Sequence, residues 1–402
     1  MISIEEAQHQ IINTLEPLDE QTVNISAALH RVCTENIYAR ENSPLFDNSA
    51  MDGYALKAED TLNANQTNPI TLEVLDKIPA GSPTTHRLTN NQSCRIFTGA
   101  PMPQGADAVI MQENTEAKEK SVEIYRPMRS KENVRFAGED ICAQDLLYQK
   151  GDILDAGAIG LLAAQGIAQV KVSQRPKIAV VPTGDEIVEL GQNLQPGQIR
   201  NSNAYMLAAQ VEQAGAQNVK SPIAYDTLEA LRHALTQSAK NADLIITCGG
   251  VSVGEFDLVR KIIEEEGSLN FWRVAVKPGK PLLFGHFNNT PLIGLPGNPV
   301  SAFVCFELFV RLAIKKLQGA KPTKHDFEMA ILNKNVKPNK KRTEFLRGKC
   351  FSKDKSRLVE PHSKRGSGHL SSITHINTLI EIPPGEKEIQ AGTYVKILSL
   401  KN

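Results

Sequence analysis

The stretch GGVSVGEFD, residues 249–257, follows the apolar run Leu244–Thr247 and places three glycines ahead of two carboxylates, Glu255 and Asp257. Glycines let backbone N–H groups approach an anion with no Cβ in the way. A carboxylate beside a bound phosphate is a ligand type suited to Mg²⁺. Three further loops repeat the design: PTGDE (182–186) after KIAVV, KPGKP (277–281) after RVAV, and GLPGNP (294–299) after PLI. In an open parallel sheet, ligands bind outside the carboxyl ends of the strands, so all four loops should lie along one edge. They supply Asp185, Glu186, Asp257, Lys277 and Lys280 beside the backbone of Gly249, Gly250 and Gly254. The lysines bring positive charge to an oxyanion, and Glu186 and Asp257 could hold Mg²⁺. The helix that starts after GLPGNP adds its dipole and free N–H groups. Any one loop alone fits an ordinary turn; four together point to a site. Asp226 has two readings, as the N-cap of a helix or as an acid of the site. Asp185 and Glu186 also fit ordinary first-turn acids.

Two other regions carry candidate chemistry. NSAMDGYAL (48–56) stands at the entrance of a β-rich stretch, VRFAGEDI (134–141) at its exit, and FTGAPMPQGADAVI (97–110) between them. Asp52, Thr98, Arg135 and Asp140 are the candidates there, while Asp107 reads as a turn residue. Because these motifs bracket the segment, its entrance and exit should be neighbours. Near the C-terminus, RTEFLRGK (342–349) and SKRGSGHLSS (363–372) combine Arg342, Arg347, Lys364 and Arg365 with Gly and Ser. They form either an anion nest or a basic solvated surface.

These residues need a scaffold of several cores, since 402 residues exceed one ordinary domain. Ser3 and Glu6 predict a capping box, and Ile4, Ala7, Ile11, Ile12 and Leu15 recur at helical spacing. The pattern predicts a helical part at 1–46 plus 141–174, a β-rich, barrel-like insertion at 47–140, an open and mostly parallel α/β sheet at 175–320, and a β-rich C-terminal domain at 327–402. Strands are expected at Lys177–Val181, Leu244–Thr247, Arg273–Val276, Leu282–Phe284 and Leu292–Leu295. Helices are expected after Ser202 or Asn203, after Asp226 with Glu229 completing a capping box, and from Asn298–Pro299 to Gly319. Lys+Arg and Asp+Glu are both 45, so bulk charge gives no attraction to nucleic acid. From Lys321 to Asn402, however, 17 Lys/Arg face 8 Asp/Glu, a net of +9 that leaves −9 on the first 320 residues. The six cysteines show no C-x-x-C pair or zinc spacing and suit a reducing compartment. The N-terminus does not read as a signal peptide, and no apolar run approaches the ~20 residues of a membrane helix. A cytoplasmic location is expected.

Taken together, SAMDGYA, FTGAPMPQGADAVI, VRFAGED, PTGDE, GGVSVGEFD, KPGKP and GLPGNPVSAF resemble, in order and spacing, the MoeA family, whose eukaryotic relatives include the gephyrin E domain. The resemblance runs from about residue 3 to the C-terminus. It implies a molybdopterin-binding α/β fold and an enzyme that takes adenylylated molybdopterin and molybdate, inserts the metal into the dithiolene and releases AMP with Mg²⁺. It also implies that Asp52, Thr98, Arg135, Asp140, Glu186, Asp226, Asp257, Lys277, Lys280, Arg347 and Ser367 are functional positions. Family members are elongated homodimers whose cleft lies between the insertion of one subunit and the α/β and C-terminal domains of the other. An upstream adenylyltransferase is a possible handover partner, with no nucleic acid and no membrane involved. Phe256 stands where a tyrosine is common, which keeps packing and loses a hydroxyl. Two other functions share the α/β domain, an adenylyltransferase and a non-catalytic scaffold. The first does not need the insertion or the C-terminal domain, and no receptor-binding extension supports the second.

Overall fold

The computed structural model describes residues 1–400 apart from 83–84, 252–257, 322–323 and 355. Gly254 and Asp257 therefore lie outside the described residues. The chain forms two compact units. One comprises Met1–Glu35, Lys150–Gly160 and Ala168–Asn402; the other comprises Asn36–Gln149 and Leu161–Ile167.

In the first unit, the helix Ile4–Thr14 starts at Ser3, whose Oγ accepts from the Glu6 N–H at 3.0 Å. Its Ile4, Ala7 and Ile11 enter the main core. The central six-stranded sheet runs in the order Gln217–Lys220, Lys177–Pro182, Leu244–Cys248, Thr290–Leu295, Leu283–Phe287 and Gly267–Trp272. The first four strands are parallel and the last two antiparallel. Leu244–Cys248 is buried at every position, as a strand covered on both faces must be. Alternation divides the side chains. Ile178, Val180, Leu244 and Ile246 meet Leu207 and Val211 of the helix Ser202–Gln213 and the helical run from Pro299 to Leu317. Val181 and Ile245 meet Leu231 and Leu235 of Leu228–Asn241, and Val259, Ile262 and Ile263 of Leu258–Glu266.

Two local expectations are corrected. Thr227, not Asp226, caps the helix Leu228–Asn241, its side chain accepting from the Ala230 N–H at 3.2 Å. The expected strand Arg273–Val276 is replaced by Gly267–Trp272, which the helix Leu258–Glu266 enters without a loop. Val276–Lys277 instead pairs in parallel with Thr343–Glu344 of the C-terminal sheet.

That C-terminal sheet closes on itself. Thr343–Lys353 pairs with Ser356–Pro361, which is followed by Phe327–Leu332, Tyr394–Ser399 and Thr378–Ile382; the last pairs back to Thr343–Lys353. The result is a five-strand barrel filled by Leu332, Leu346, Val359, Ile380 and Ile397.

The second unit is built on a six-stranded sheet in the order Ala108–Met111, Gly53–Leu56, Gln92–Ile96, Ile70–Ile78, Ser121–Ile124 and Thr115–Ala117. Both faces are covered. Leu56, Ile110, Val122 and Ile124 pack on one side, and Ala55, Cys94, Ile96 and Val109 on the other. Gly53 is required by close approach, because a Cβ there would stand 1.8 Å from the Ile110 carbonyl oxygen. The segment's entrance and exit are neighbours: Asn48 pairs with Arg135, Ser49 with Val134 and Ser43 with Ile141.

Candidate functional site

The sheet register places the four loops together. Pro182, Cys248 and Leu295 are adjacent at the carboxyl ends of three parallel strands. Leu283 lies opposite Gly294, and Trp272 opposite Leu283. The antiparallel strands therefore return the 273–282 connection to the same edge.

A cavity of about 280 Å³ opens there, lined by Thr183, Glu186, Asn201, Asn203, Asp226 and Gly250 among others. Thr183 N–H continues the ladder to the Cys248 carbonyl at 3.1 Å, and Gly249 N–H to the Leu295 carbonyl at 3.1 Å. Gly249 is thus not a free anion donor, as the sequence suggested; its N–H fastens two loops. It adopts φ +110°, and a Cβ would meet Thr183 Oγ1 at 2.5 Å, so glycine is needed for conformation and for space. Gly250, at φ +65°, has no backbone acceptor for its N–H among the described residues.

The acids converge on this cavity. Asp185 accepts from the Asp226 N–H at 2.9 Å. With Thr227 as the cap, the Asp226 carboxylate is released from helix duty and lines the cavity with Glu186. Partial burial raises its pKa above the usual aspartate value, and the charges of Asp185 and Glu186 push the same way. Among the described residues, no three His, Cys, Asp or Glu side chains are already arranged around one point for a metal. Mg²⁺ does not need such a cage, since one or two carboxylates plus substrate phosphate suffice. A backbone hydrogen bond at Asp185 offsets part of the raise, and the net unfavourable charge at Asp226 is of the sign a cation relieves, so Glu186 and Asp226 are the described residues that could hold the ion.

The basic candidates divide into two kinds. Lys277 pairs with Glu344 at 3.1 Å, and the Glu344 side chain is 4% exposed. Lys280 is exposed, and its ammonium has no partner among the described residues. Arg347 differs from the expectation of an open anion ligand, being only 2% exposed. Its guanidinium donates to Ser372 Oγ at 3.2 Å and to the carbonyls of Lys364 and Gly366 at 2.6 and 3.4 Å. It anchors the 363–372 segment from inside. That segment delivers Ser367, whose carbonyl accepts from the Val300 N–H at 3.1 Å. One N–H of the helix start, expected to be free, is therefore occupied.

In the second unit, Asp52 and Thr98 meet. One Asp52 oxygen accepts from the Thr98 N–H and Oγ1, both at 2.8 Å. These two bonds hold the carboxyl below the usual aspartate range, with a smaller contribution from the charge of Arg95. Arg95 lies 5.0 Å from the Tyr54 ring and 5.1 Å from the Phe97 ring. Arg135 and Asp140 are exposed and make no ion pair with each other among the described residues. Asp107 accepts from the Ala58 N–H at 2.7 Å, as a turn residue does.

Among the cavity residues not singled out from the sequence as site residues, Thr183, Arg200, Asn201 and Asn203 carry polar side chains. Asn201 caps Ser202–Gln213 by accepting from Ala204 N–H at 3.3 Å and donates to Glu189 at 2.9 Å. Asn203 donates to the Gly297 carbonyl at 2.6 Å and reaches Cys248 Sγ at 3.3 Å. The available signal was RNSNA, two amides at the mouth of a helix that follows a strand edge.

Comparisons with known proteins agree along the whole chain. Residues 2–166 match the MoeA N-terminal region, domains I and II; residues 179–316 match a probable molybdopterin binding domain; residues 329–400 match the MoeA C-terminal region, domain IV. The chain is 36% identical over 401 residues to a molybdopterin molybdenumtransferase of Haemophilus influenzae, covering 99% of this chain and 98% of that protein. It is 38% identical over 412 residues to one of Nostoc, covering 100% and 94%. The crystal structure of a molybdopterin biosynthesis MoeA protein from Pyrococcus horikoshii superposes with a TM-score of 0.86 at 29% identity, covering 100% of both chains.

Proposed function

Because the chain belongs to the MoeA family of molybdopterin molybdenumtransferases, we propose that its substrate is adenylylated molybdopterin and that insertion of molybdenum is coupled to release of AMP. The coarser activity is that of the family: a transferase of molybdenum cofactor biosynthesis that inserts molybdenum into molybdopterin. The observation that carries the finer reading is that carboxylates and cations gather along one sheet edge. Glu186 and Asp226 share a cavity, while Lys280 stands on a neighbouring loop with its ammonium unpaired among the described residues.

A phosphate diester and a tetrahedral dianion ask for different surroundings. Glu186 and Asp226 suit a phosphate held through a divalent cation, while Arg200 of the same lining and the Gly250 N–H offer donors to its oxygens. Mg²⁺ held by Glu186 and Asp226 would supply charge neutralisation at that phosphate. Lys280 attracts and orients molybdate. Lys277 sets the position of its loop through Glu344. Asp52 is kept ionised by Thr98 within its own unit. The working form is taken to be a cytoplasmic homodimer, a state that sedimentation at micromolar concentration would read directly.

The test is reconstitution with purified protein, adenylylated molybdopterin, Mg²⁺ and low molybdate, measuring AMP and active cofactor together. Equal release of both supports the reading. Cofactor formation from unmodified molybdopterin at the same rate, with no AMP, would overturn the adenylylated substrate. Pyrophosphate release when ATP and unmodified molybdopterin replace the adenylylated substrate would indicate the adenylyltransferase instead.

A further inference from the structure

A second cleft, of about 610 Å³, lies on the C-terminal barrel and shares none of its lining residues with the first. Lys349 comes from the long strand Thr343–Lys353, His362 and Lys364 follow the strand Ser356–Pro361, and Ser371 and His375 come from the turn beyond. The single acid of the lining is Glu360. Lys334 forms an ion pair with it, and Asn333 donates to it at 3.3 Å. Lys349 sits opposite Glu360 in the strand register and forms no ion pair with it among the described residues. Two lysine charges, those of Lys349 and Lys364, therefore face the cleft without a neutralising carboxylate.

The donors are also oriented. The Nδ1 of His362 accepts from the Lys364 N–H at 3.0 Å, so the ring carries its proton on Nε2, as a donor. Ser371 Oγ accepts from the Lys364 ammonium at 3.1 Å, which leaves the hydroxyl proton to point elsewhere. The buried Arg347 grips the Lys364 carbonyl from behind at 2.6 Å. The lysine therefore rises from a fixed backbone rather than a loose loop. Such preorganised, charge-assisted donors are the kind that bind phosphate.

The rest of the wall is mixed, with Ser363 and Thr374 beside Gly348, Phe351, Pro361 and Ile376. Phe351 and Ile376 line the same cleft, whose volume falls in the range of small-molecule sites and exceeds the need of a bare oxyanion. We propose that this cleft is an anion site for a phosphate monoester, with the phosphate between Lys349, Lys364, His362 and Ser371 and the organic part against Phe351 and Ile376. The inference stands on the barrel alone and does not depend on the substrate assigned to the sheet-edge cavity.

Phenyl phosphate, inorganic phosphate and molybdate are the probes, titrated into the intact protein at constant ionic strength. Affinity is read by calorimetry and the site by the ring resonances of His362 and His375. Phenyl phosphate should move both histidines and bind about tenfold more tightly than inorganic phosphate, the gain expected of a partly buried ring. The double variant Lys349→Gln/Lys364→Gln should lose at least about tenfold in affinity. The exposed single variant Lys349→Gln gives a smaller loss with an unchanged melting temperature, which separates binding from folding. Lys280→Gln, on the other site, should bind phenyl phosphate as the parent does. Unmoved histidines, equal affinity for the two phosphates, molybdate that moves both histidines at lower concentration than phenyl phosphate does, or an unaffected double variant would each overturn the proposal.

Discussion

Asn203 donates its side-chain N–H to the carbonyl oxygen of Gly297 at 2.6 Å. This single bond ties the start of the helix Ser202–Gln213 to the GLPGNP loop across the mouth of the cavity. Asn203 also lies within 3.3 Å of Cys248 Sγ, next to the first glycine of the neighbouring loop. Three elements that converge at the edge are thus held in step by one amide.

Asn203→Ala should therefore loosen the cavity more than it destabilises the fold. Loss of one partly exposed hydrogen bond costs about 1 kcal/mol, visible as a small fall in the urea midpoint. The larger effect should be a rise in KM for the pterin substrate. Asn203→Asp keeps the shape but faces a carbonyl with an acceptor, and it should behave no better than alanine. An unchanged KM in both variants would make the bond incidental.

Arg347 gives a second, opposite expectation. Its buried guanidinium serves a hydroxyl and two carbonyls, so Arg347→Ala should cost roughly 3 kcal/mol of stability. Arg347→Lys keeps the charge but lacks the planar fork that reaches several acceptors at once. It should also melt early. If Arg347 served as an open anion ligand, the lysine variant would keep its melting temperature and a large share of molybdate binding. Differential scanning calorimetry of the two variants decides between these outcomes.

The contrast shows what the sequence could reveal. The runs IAVV and LII are of the kind a strand buried on both faces carries, and both strands lie in the parallel sheet. The loop motifs were legible because glycines and acids recur after such runs. Closure of the barrel was not, since the pairing of Thr343–Lys353 with Thr378–Ile382 is a matter of register between distant segments. The side to which a cation turns was equally hidden: Arg347 and Lys280 look alike in sequence, yet one is buried and one exposed. Asp226 and Thr227 are adjacent acceptors, and local pattern favoured the wrong one because Glu229 completes a capping box only with Asp226.

Lys277 and Lys280 should separate in the same way. Lys277→Met leaves the buried Glu344 without its cation, a class of change that destabilises because the remaining charge is uncompensated. Its melting temperature should fall, and Lys277→Arg, which keeps a cation beside Glu344, should melt closer to the parent. Lys280→Met should melt as the parent does and need more molybdate for the same rate. Equal melting temperatures for the parent and Lys277→Met would remove the structural role assigned to Lys277.

The pH dependence of stability should reveal Asp226. Burial, together with the charges of Asp185 and Glu186, places its folded pKa above the unfolded value near 3.8. A group of this kind binds more protons folded than unfolded, so its contribution is fully present below the unfolded pKa. That contribution is lost as pH rises through the raised folded value. Asp226→Asn removes the term. Relative to the variant, the parent protein should therefore lose stability as pH climbs from below the ordinary aspartate range towards neutrality. Mg²⁺ should reverse that loss, because a cation between Glu186 and Asp226 favours the ionised form that folding otherwise penalises. Added at neutral pH, it should raise the parent's melting temperature and have a smaller effect on Asp226→Asn, with no substrate present. Parallel pH profiles for the two proteins would show that Asp226 titrates normally. A Mg²⁺ effect of the same size in both would remove Asp226 from the metal's ligands.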